Sequence, residues 1–134
     1  MGYKFGENSI KKLKTCHVAL QLLMSEAIKT SPIDFTIVCG NRGKEEQNEA
    51  FRTGKSKLQW PMGKHNKMPS EAVDIAPFPR LFESSQEEWK LLNDHIKKTA
   101  KDLKLKVRWG GDWDGDGDSK DERFLDIPHW ELKK

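Results

Sequence analysis

The chain has few cysteines, no long apolar run and almost no excess of one charge. Its two cysteines stand alone, without a Cys-x-x-Cys pair, which excludes a disulfide framework and favours a reducing compartment. No segment approaches the roughly 20 apolar residues of a membrane-spanning helix, and the first residues contain no apolar signal core. The 24 Lys and Arg against 21 Asp and Glu leave a net charge of +3, too little for a dedicated nucleic-acid binder.

The size and the aromatic content predict one folded unit. A chain of 134 residues is long enough for a single core, and we predict one domain over residues 1–134. Five tryptophans and six phenylalanines supply large apolar side chains, although 34% of the residues are charged. We expect a monomer that neither binds nucleic acid nor inserts stably into a membrane.

The hydrophobic pattern changes irregularly between helical and extended spacing. Apolar residues recur at the helical period from Ser9 to Ile28, which predicts one long helix, and Ser85 with Glu88 forms a capping box for another. A short polar helix is predicted over about residues 44–52, followed by a long functional loop between 54 and 69. Strands are predicted at residues 35–39, 72–76, 105–109 and 130–132. These elements predict an α+β domain with helices packed on a small antiparallel sheet.

Two histidines and two acids form a candidate metal site. Hydrolytic zinc sites usually take three His or carboxylate ligands and keep a fourth position for water, and His65, Asp74 and His129 would supply such a set. Asp126, three residues before His129, would then be the base that takes a proton from water. Arg42, after the first predicted core strand, is the best available cation for an oxyanion or a substrate carboxylate.

Each of these residues also has a simpler interpretation. His65 lies in a Lys-rich loop, where an isolated histidine is usually a surface residue, and His129 could be a hydrogen-bonded core histidine. Asp74 is harder to explain in this way, because an acid inside an apolar strand needs a partner. The residues alone therefore leave both interpretations open.

Three segments carry a resemblance to a known family. They are KHNKMPSEAVD at residues 64–74, RWGGDW at 108–113 and DIPHWEL at 126–132. Together they resemble the M15 zinc peptidases, which include D-Ala-D-Ala carboxypeptidases of the VanY type and L-alanyl-D-glutamate endopeptidases. The likeness is strongest to the branch of T5-type phage endolysins. One departure is that nine positions separate the first histidine from the aspartate and the family's glycine is absent, which we interpret as a two-residue insertion.

The resemblance implies a fold, a cofactor and roles for individual residues. The implied fold is that of hedgehog domains and DD-peptidases, and the implied cofactor is zinc. By the same resemblance His65, Asp74 and His129 match the zinc ligands, Asp126 matches the catalytic acid or base, and Arg42 matches a substrate-polarising arginine.

A second cation is suggested by an acidic segment near the C-terminus. Its candidate calcium ligands are Asp112, Asp114, Asp116, Asp118 and Glu122. Oxygen ligands at alternate positions with a glycine at the sixth are typical of the first half of an EF-hand loop, but Arg123 at the twelfth position excludes a complete one. T5-type endolysins carry a matching regulatory calcium loop, whereas a solvated acidic turn is the alternative.

These observations predict a zinc metallopeptidase that hydrolyses peptidoglycan stem peptides. The expected bond is L-alanyl-D-glutamate, and the alternatives are a D-alanyl-D-alanine carboxypeptidase or a non-catalytic interaction module stabilised by zinc or calcium. An endolysin of this kind would be made in the host cytoplasm without a signal peptide and would act on the bacterial cell wall.

Overall fold

The helices and strands follow the order expected for an α+β fold. The computed structural model describes residues 2–54, 56, 58–111 and 127–133. Its helices are α1 (Glu7–Leu13), α2 (Val18–Thr30), α3 (Lys44–Arg52) and α4 (Gln86–Asp102), with 3₁₀ turns at Lys64–Asn66 and Leu81–Glu83. Its strands are β1 (Phe35–Cys39), β2 (Ala72–Pro77), β3 (Val107–Trp109) and β4 (His129–Leu132). They form one antiparallel sheet in the order β1-β2-β4-β3, which confirms the predicted fold class.

The core lies between one face of this sheet and the helices. All six residues of β2 are buried, since it is an inner strand covered on both faces. Val73 and Ile75 from β2 and Trp130 from β4 join the apolar cluster that also contains Leu23 of α2 and Ile96 of α4. Removing these side chains from water is the main driving force of folding. The core thus fixes β2 and β4 rigidly side by side.

The prediction of a single long helix from residue 9 to residue 28 is wrong, because the chain forms two helices there. The break comes at residues 14–17, where the backbone pairs with Ser70 instead of continuing the helix. The Ser70 amide donates to the Thr15 carbonyl at 2.8 Å, and the His17 amide donates to the Ser70 carbonyl at 2.8 Å. His17 Nδ1 then accepts from the Ala19 amide at 3.0 Å and caps α2. This pairing anchors the long loop just before β2.

The other predicted elements differ only at their ends. The polar helix at residues 44–52 is confirmed, and so is the capping box, in which the Ser85 hydroxyl accepts from the Glu88 amide at 3.1 Å. β3 begins two residues later than predicted and β4 one residue earlier, at His129. Within the part of the chain that the structure describes, no helix has the length and apolar character needed to cross a bilayer.

Candidate metal centre

Three of the predicted ligands meet on the face of the sheet opposite the core. Asp74 of β2 and His129 of β4 are direct cross-strand partners, so their side chains share one face. His65 arrives from the 3₁₀ turn within the long loop. His65 Nε2, Asp74 Oδ1 and His129 Nδ1 lie 3.2 Å from one another in all three pairs. All three residues are buried, so the interpretation of His65 as a surface residue is wrong.

Hydrogen bonds on the outer nitrogens set the direction of both imidazoles. His65 Nδ1 lies 2.8 Å from the Gly40 carbonyl oxygen, and His129 Nε2 lies 2.8 Å from Glu131 Oε1. Since these two oxygens only accept, each outer nitrogen carries the proton, and in the neutral ring the inner nitrogen then presents a lone pair. Two lone pairs and a carboxylate oxygen then converge on one point, where a proton or a metal ion can bind.

This arrangement requires a glycine at position 40, because the backbone there lies very close to the backbone at Lys12. A Cβ at Gly40 would lie 2.4 Å from the Lys12 carbonyl oxygen and 2.4 Å from Thr15 Oγ1. Any larger residue would push the end of β1 away from the break between α1 and α2. The carbonyl that orients His65 would move with it.

Charges inside the cluster compensate one another in the metal-free protein. Burial alone lowers the pKa of His65, but the Asp74 carboxylate raises it more, to about 10. Burial alone raises the pKa of Asp74, but the two imidazoles hold it well below its usual range. The pKa of His129 is likewise raised, because hydrogen bonds to Asp74 and Glu131 outweigh burial. A proton on His65 thus supplies positive charge to the cluster.

Arg42 lies beside the cluster and binds Asp74. Its Nη2 lies 3.3 Å from Asp74 Oδ2, its Nη1 donates to Gln47 Oε1 at 3.1 Å, and its amide donates to the His65 carbonyl at 2.7 Å. Asp74 consequently has one oxygen turned to the histidines and the other held by the guanidinium. The role of Arg42 toward a substrate stays a prediction.

Glu131 is a site residue that the sequence analysis missed. It is buried, and besides His129 its carboxylate accepts from Arg108 Nη2 at 2.7 Å and contacts Lys64 Nζ at 3.1 Å. Burial alone raises the pKa of Glu131, but these partners lower it to about 2, so it is ionised. The available signal was its position two residues after His129, on the same face of a strand.

Gln47 also went unnoticed, although it connects α3 with the long loop. It is almost completely buried, and its amide donates to Ser56 Oγ at 2.9 Å. Its oxygen accepts from Asn66 Nδ2 at 3.2 Å, next to His65. Nothing in the sequence of this polar helix distinguishes Gln47 from its neighbours.

A further potential ligand is Cys39 at the end of β1. Ligand atoms of Cys39, His65 and Asp74 all lie within 4.8 Å of one another, so the described residues contain a group able to hold a metal ion that includes a thiol. Cys39 is half-buried, whereas the chain's other cysteine, Cys16, is buried.

Six of the predicted site residues lie outside the described residues. They are Asp126, the predicted base, and the candidate calcium ligands Asp112, Asp114, Asp116, Asp118 and Glu122. Their roles stay predictions.

Comparisons with known proteins find similar peptidases. A family model described as phage L-alanyl-D-glutamate peptidase matches residues 1–133. The L-alanyl-D-glutamate peptidase of Escherichia phage T5 is 34% identical over 124 residues, which are 91% of this chain and 90% of that relative. The resemblance to the endolysin branch is thereby confirmed.

A solved structure shares the fold. The crystal structure of the Serratia marcescens L-Ala D-Glu endopeptidase ChiX matches with a TM-score of 0.73, covering 97% of this chain and 90% of that chain at 23% identity. The arrangement of helices around the small antiparallel sheet is therefore common to both proteins.

Proposed function

The chain belongs to the family of phage L-alanyl-D-glutamate peptidases, and from this premise we propose that it is a zinc-dependent endopeptidase of peptidoglycan. Its substrate is the stem peptide, and the bond it hydrolyses is L-alanyl-D-glutamate, so its action weakens the bacterial cell wall. The observation that carries the proposal is the convergence of His65, Asp74 and His129 on one point.

The spacing and chemistry of the three donors support zinc. Tetrahedral zinc with ligands at about 2.0 Å places neighbouring donor atoms about 3.3 Å apart. The three donor atoms here are 3.2 Å apart, which matches one face of such a tetrahedron. Two imidazoles with one carboxylate are a usual donor set for hydrolytic zinc, and three protein ligands leave the fourth position for water or substrate. His65, Asp74 and His129 would hold the ion.

The remaining residues have separate tasks in this proposal. When bound, zinc lowers the pKa of water and polarises a peptide carbonyl. Asp126 takes a proton from the attacking water and returns it to the leaving amine nitrogen. Arg42 stabilises the negative charge that develops on the carbonyl oxygen and, through its ion pair, holds the second carboxylate oxygen of Asp74.

Replacement of the proposed base tests the function. Purified peptidoglycan is incubated with the zinc-loaded wild type, with Asp126→Asn and with Asp94→Asn, a control at an exposed acid of α4 that pairs with Lys90. We expect Asp126→Asn to keep its zinc and to lose about 10²–10⁴-fold in rate, as removal of a general acid or base usually does. The control should cleave like the wild type.

The new termini identify the bond. Hydrolysis of L-alanyl-D-glutamate frees the α-amino group of D-glutamate, whereas a D-alanyl-D-alanine carboxypeptidase would release free D-alanine. Equal cleavage by the wild type and Asp126→Asn would contradict the catalytic assignment, and release of D-alanine alone would contradict the bond. An interaction module without activity would release neither.

We further propose that the acidic segment binds calcium. Closely spaced carboxylates repel one another unless a cation lies between them, and the proposed ligands are Asp112, Asp114, Asp116, Asp118 and Glu122. Calorimetric titration of the zinc-loaded protein with Ca²⁺ tests the proposal, with the double variant Asp114→Asn, Asp116→Asn as the comparison. Heat of binding that is unchanged in this variant would contradict it.

A further inference from the structure

An irregularity in β1 places a thiol beside the metal centre. Phe35, Thr36 and Ile37 pair in regular register with Pro77, Ala76 and Ile75 of β2. Continuing this register would place Val38 opposite Asp74. The register shifts after Ile37, and Cys39 lies opposite Asp74 instead.

This shift changes the face on which Cys39 lies. Phe35 and Ile37 are core residues, and strict alternation would turn Cys39 to the same core face. The bulge resets the alternation, as bulges next to active sites often do. As the cross-strand partner of Asp74, Cys39 shares its face of the sheet. Its side chain is half-buried rather than enclosed in the core.

The thiol lies near two of the three proposed ligands. Ligand atoms of Cys39, His65 and Asp74 lie within 4.8 Å of one another. The Cys39 thiol donates to the Gly40 carbonyl at 3.6 Å, and a thiol is a weak donor, so this contact is easily exchanged.

We propose that Cys39 is a fourth, thiolate ligand of the metal held by His65, Asp74 and His129, and that it closes the position that hydrolysis needs open. This inference rests on the metal centre of the proposed function. As the sulfur–metal bond forms, the S–H bond breaks, its proton passes to solvent and the water in the fourth position leaves, without any oxidation or reduction. Thiolate is a soft ligand that zinc and cobalt accept readily. The thiolate-bound protein is latent and becomes active when the sulfur dissociates.

The second cysteine provides a matched control. Cys16 is buried in the core, and its Sγ lies 3.9 Å from the Ala72 carbonyl oxygen. Burial raises the pKa of Cys16 to about 12, so it remains a neutral thiol. Cys16→Ser and Cys39→Ser each remove one sulfur from the protein, but only the sulfur of Cys39 lies at the metal centre.

Cobalt substitution tests the ligand directly. Wild type, Cys39→Ser and Cys16→Ser are loaded with Co²⁺, whose ligand-field bands in the visible report binding and whose sulfur-to-metal charge-transfer band in the near ultraviolet reports a thiolate. We expect ligand-field bands in all three proteins, and the charge-transfer band in wild type and Cys16→Ser but not in Cys39→Ser. We also expect zinc-loaded Cys39→Ser to cleave peptidoglycan faster than wild type.

The outcomes separate this inference from the proposed function. Ligand-field bands without a charge-transfer band in the wild type would overturn the thiolate ligand and leave the metal centre intact. A charge-transfer band that persists in Cys39→Ser, or that disappears equally in both variants, would also overturn it. Absence of ligand-field bands from every protein would overturn the metal centre and the inference together.

Discussion

The two faces of the β2–β4 pair are built from alternate residues of the same two strands, yet they behave in opposite ways. One face carries Val73 and Trp130, which are enclosed in the apolar core. The other carries Asp74, His129 and Glu131, which are also buried but are charged or polar. The core face stabilises the fold because its apolar side chains are removed from water. The site face instead depends on charges that compensate one another.

This difference shows that alternate residues of each strand have different tasks. Those on one face stabilise the fold, and those on the other face form the candidate site. The apolar face holds the backbone in place, so the donor atoms opposite it keep their positions without contributing apolar packing. The site face has converging lone pairs that need a proton or a metal ion. We therefore expect substitutions on the two faces to affect different measurements.

The largest effect is expected from His129→Ala on the site face. Loss of one ligand should abolish stable zinc binding and lower peptidoglycan cleavage on the order of 10³-fold or more, because a bound metal supplies several kcal/mol of transition-state stabilisation. The metal-free protein should still fold, because Trp130 and the core are unchanged. Zinc content after dialysis, cleavage rate and circular dichroism measure the three properties.

A second histidine supplies the control for that experiment. His17 is exposed and caps α2 through its Nδ1. His17→Asn keeps an acceptor at this position and should retain both zinc and activity. Stoichiometric zinc in His129→Ala would show that the site face does not hold the metal as proposed.

The next largest effect is expected from Trp130→Ala on the core face. Trp130 is 2% exposed, stacks on Trp109 and donates to Asn93 Oδ1 at 2.9 Å. Its truncation should lower the free energy of unfolding by about 3–5 kcal/mol, measured by urea denaturation of the metal-free protein. Trp130→Phe should lose less, and its folded form should bind zinc like the wild type. Loss of zinc binding without loss of stability would contradict the separation of the two faces.

A smaller effect is expected from Glu131→Gln, which lies on the site face but outside the proposed ligand set. Glutamine can still accept from His129 Nε2, but the negative charge that also binds Arg108 and Lys64 is lost. Removing such a partner of a metal-binding histidine typically weakens metal affinity 10- to 100-fold. Competition with a chelator of known affinity measures the change.

The matched control for this substitution is Glu49→Gln. Glu49 is exposed and pairs only across the surface of α3 with Arg52 among the contacts described, and such pairs contribute little. The zinc affinity of Glu49→Gln should equal that of the wild type. If Glu131→Gln lowered the melting temperature but left zinc affinity unchanged, Glu131 would have a structural role alone.

Features that depend on neighbouring residues in sequence could be predicted from the sequence. The capping box at Ser85, the strand at residues 72–76 and the polar helix at 44–52 all follow from local patterns. The candidate ligand set of two histidines and an aspartate was named from the residues, because an acid inside the apolar run of β2 needs a partner. Resemblance to a family then matched the same three residues to zinc ligands.

Features that depend on contacts between distant segments could not be predicted. The helix break at residues 14–17 results from pairing with Ser70, more than 50 residues away. The bulge that turns Cys39 toward Asp74 depends on the register between β1 and β2. Two partners of Glu131, Lys64 and Arg108, come from other segments, so only its spacing from His129 was visible in the sequence. In each case the tertiary contact outweighs the local preference.

The smallest effect expected is a pH dependence of the stabilisation by zinc, which arises from groups on the site face. The pKa of His65 is raised from 6.5 to about 10, because the Asp74 carboxylate outweighs the opposing effect of burial. A raised pKa in the folded state stabilises the metal-free protein below pH 6.5, and this contribution is lost as the pH rises toward 10. Zinc must displace the proton, so its binding strengthens over the same range. The difference in melting temperature between zinc-loaded and metal-free protein should therefore widen from pH 6.5 to pH 9, whereas a constant difference would mean that no proton is displaced from the ligands.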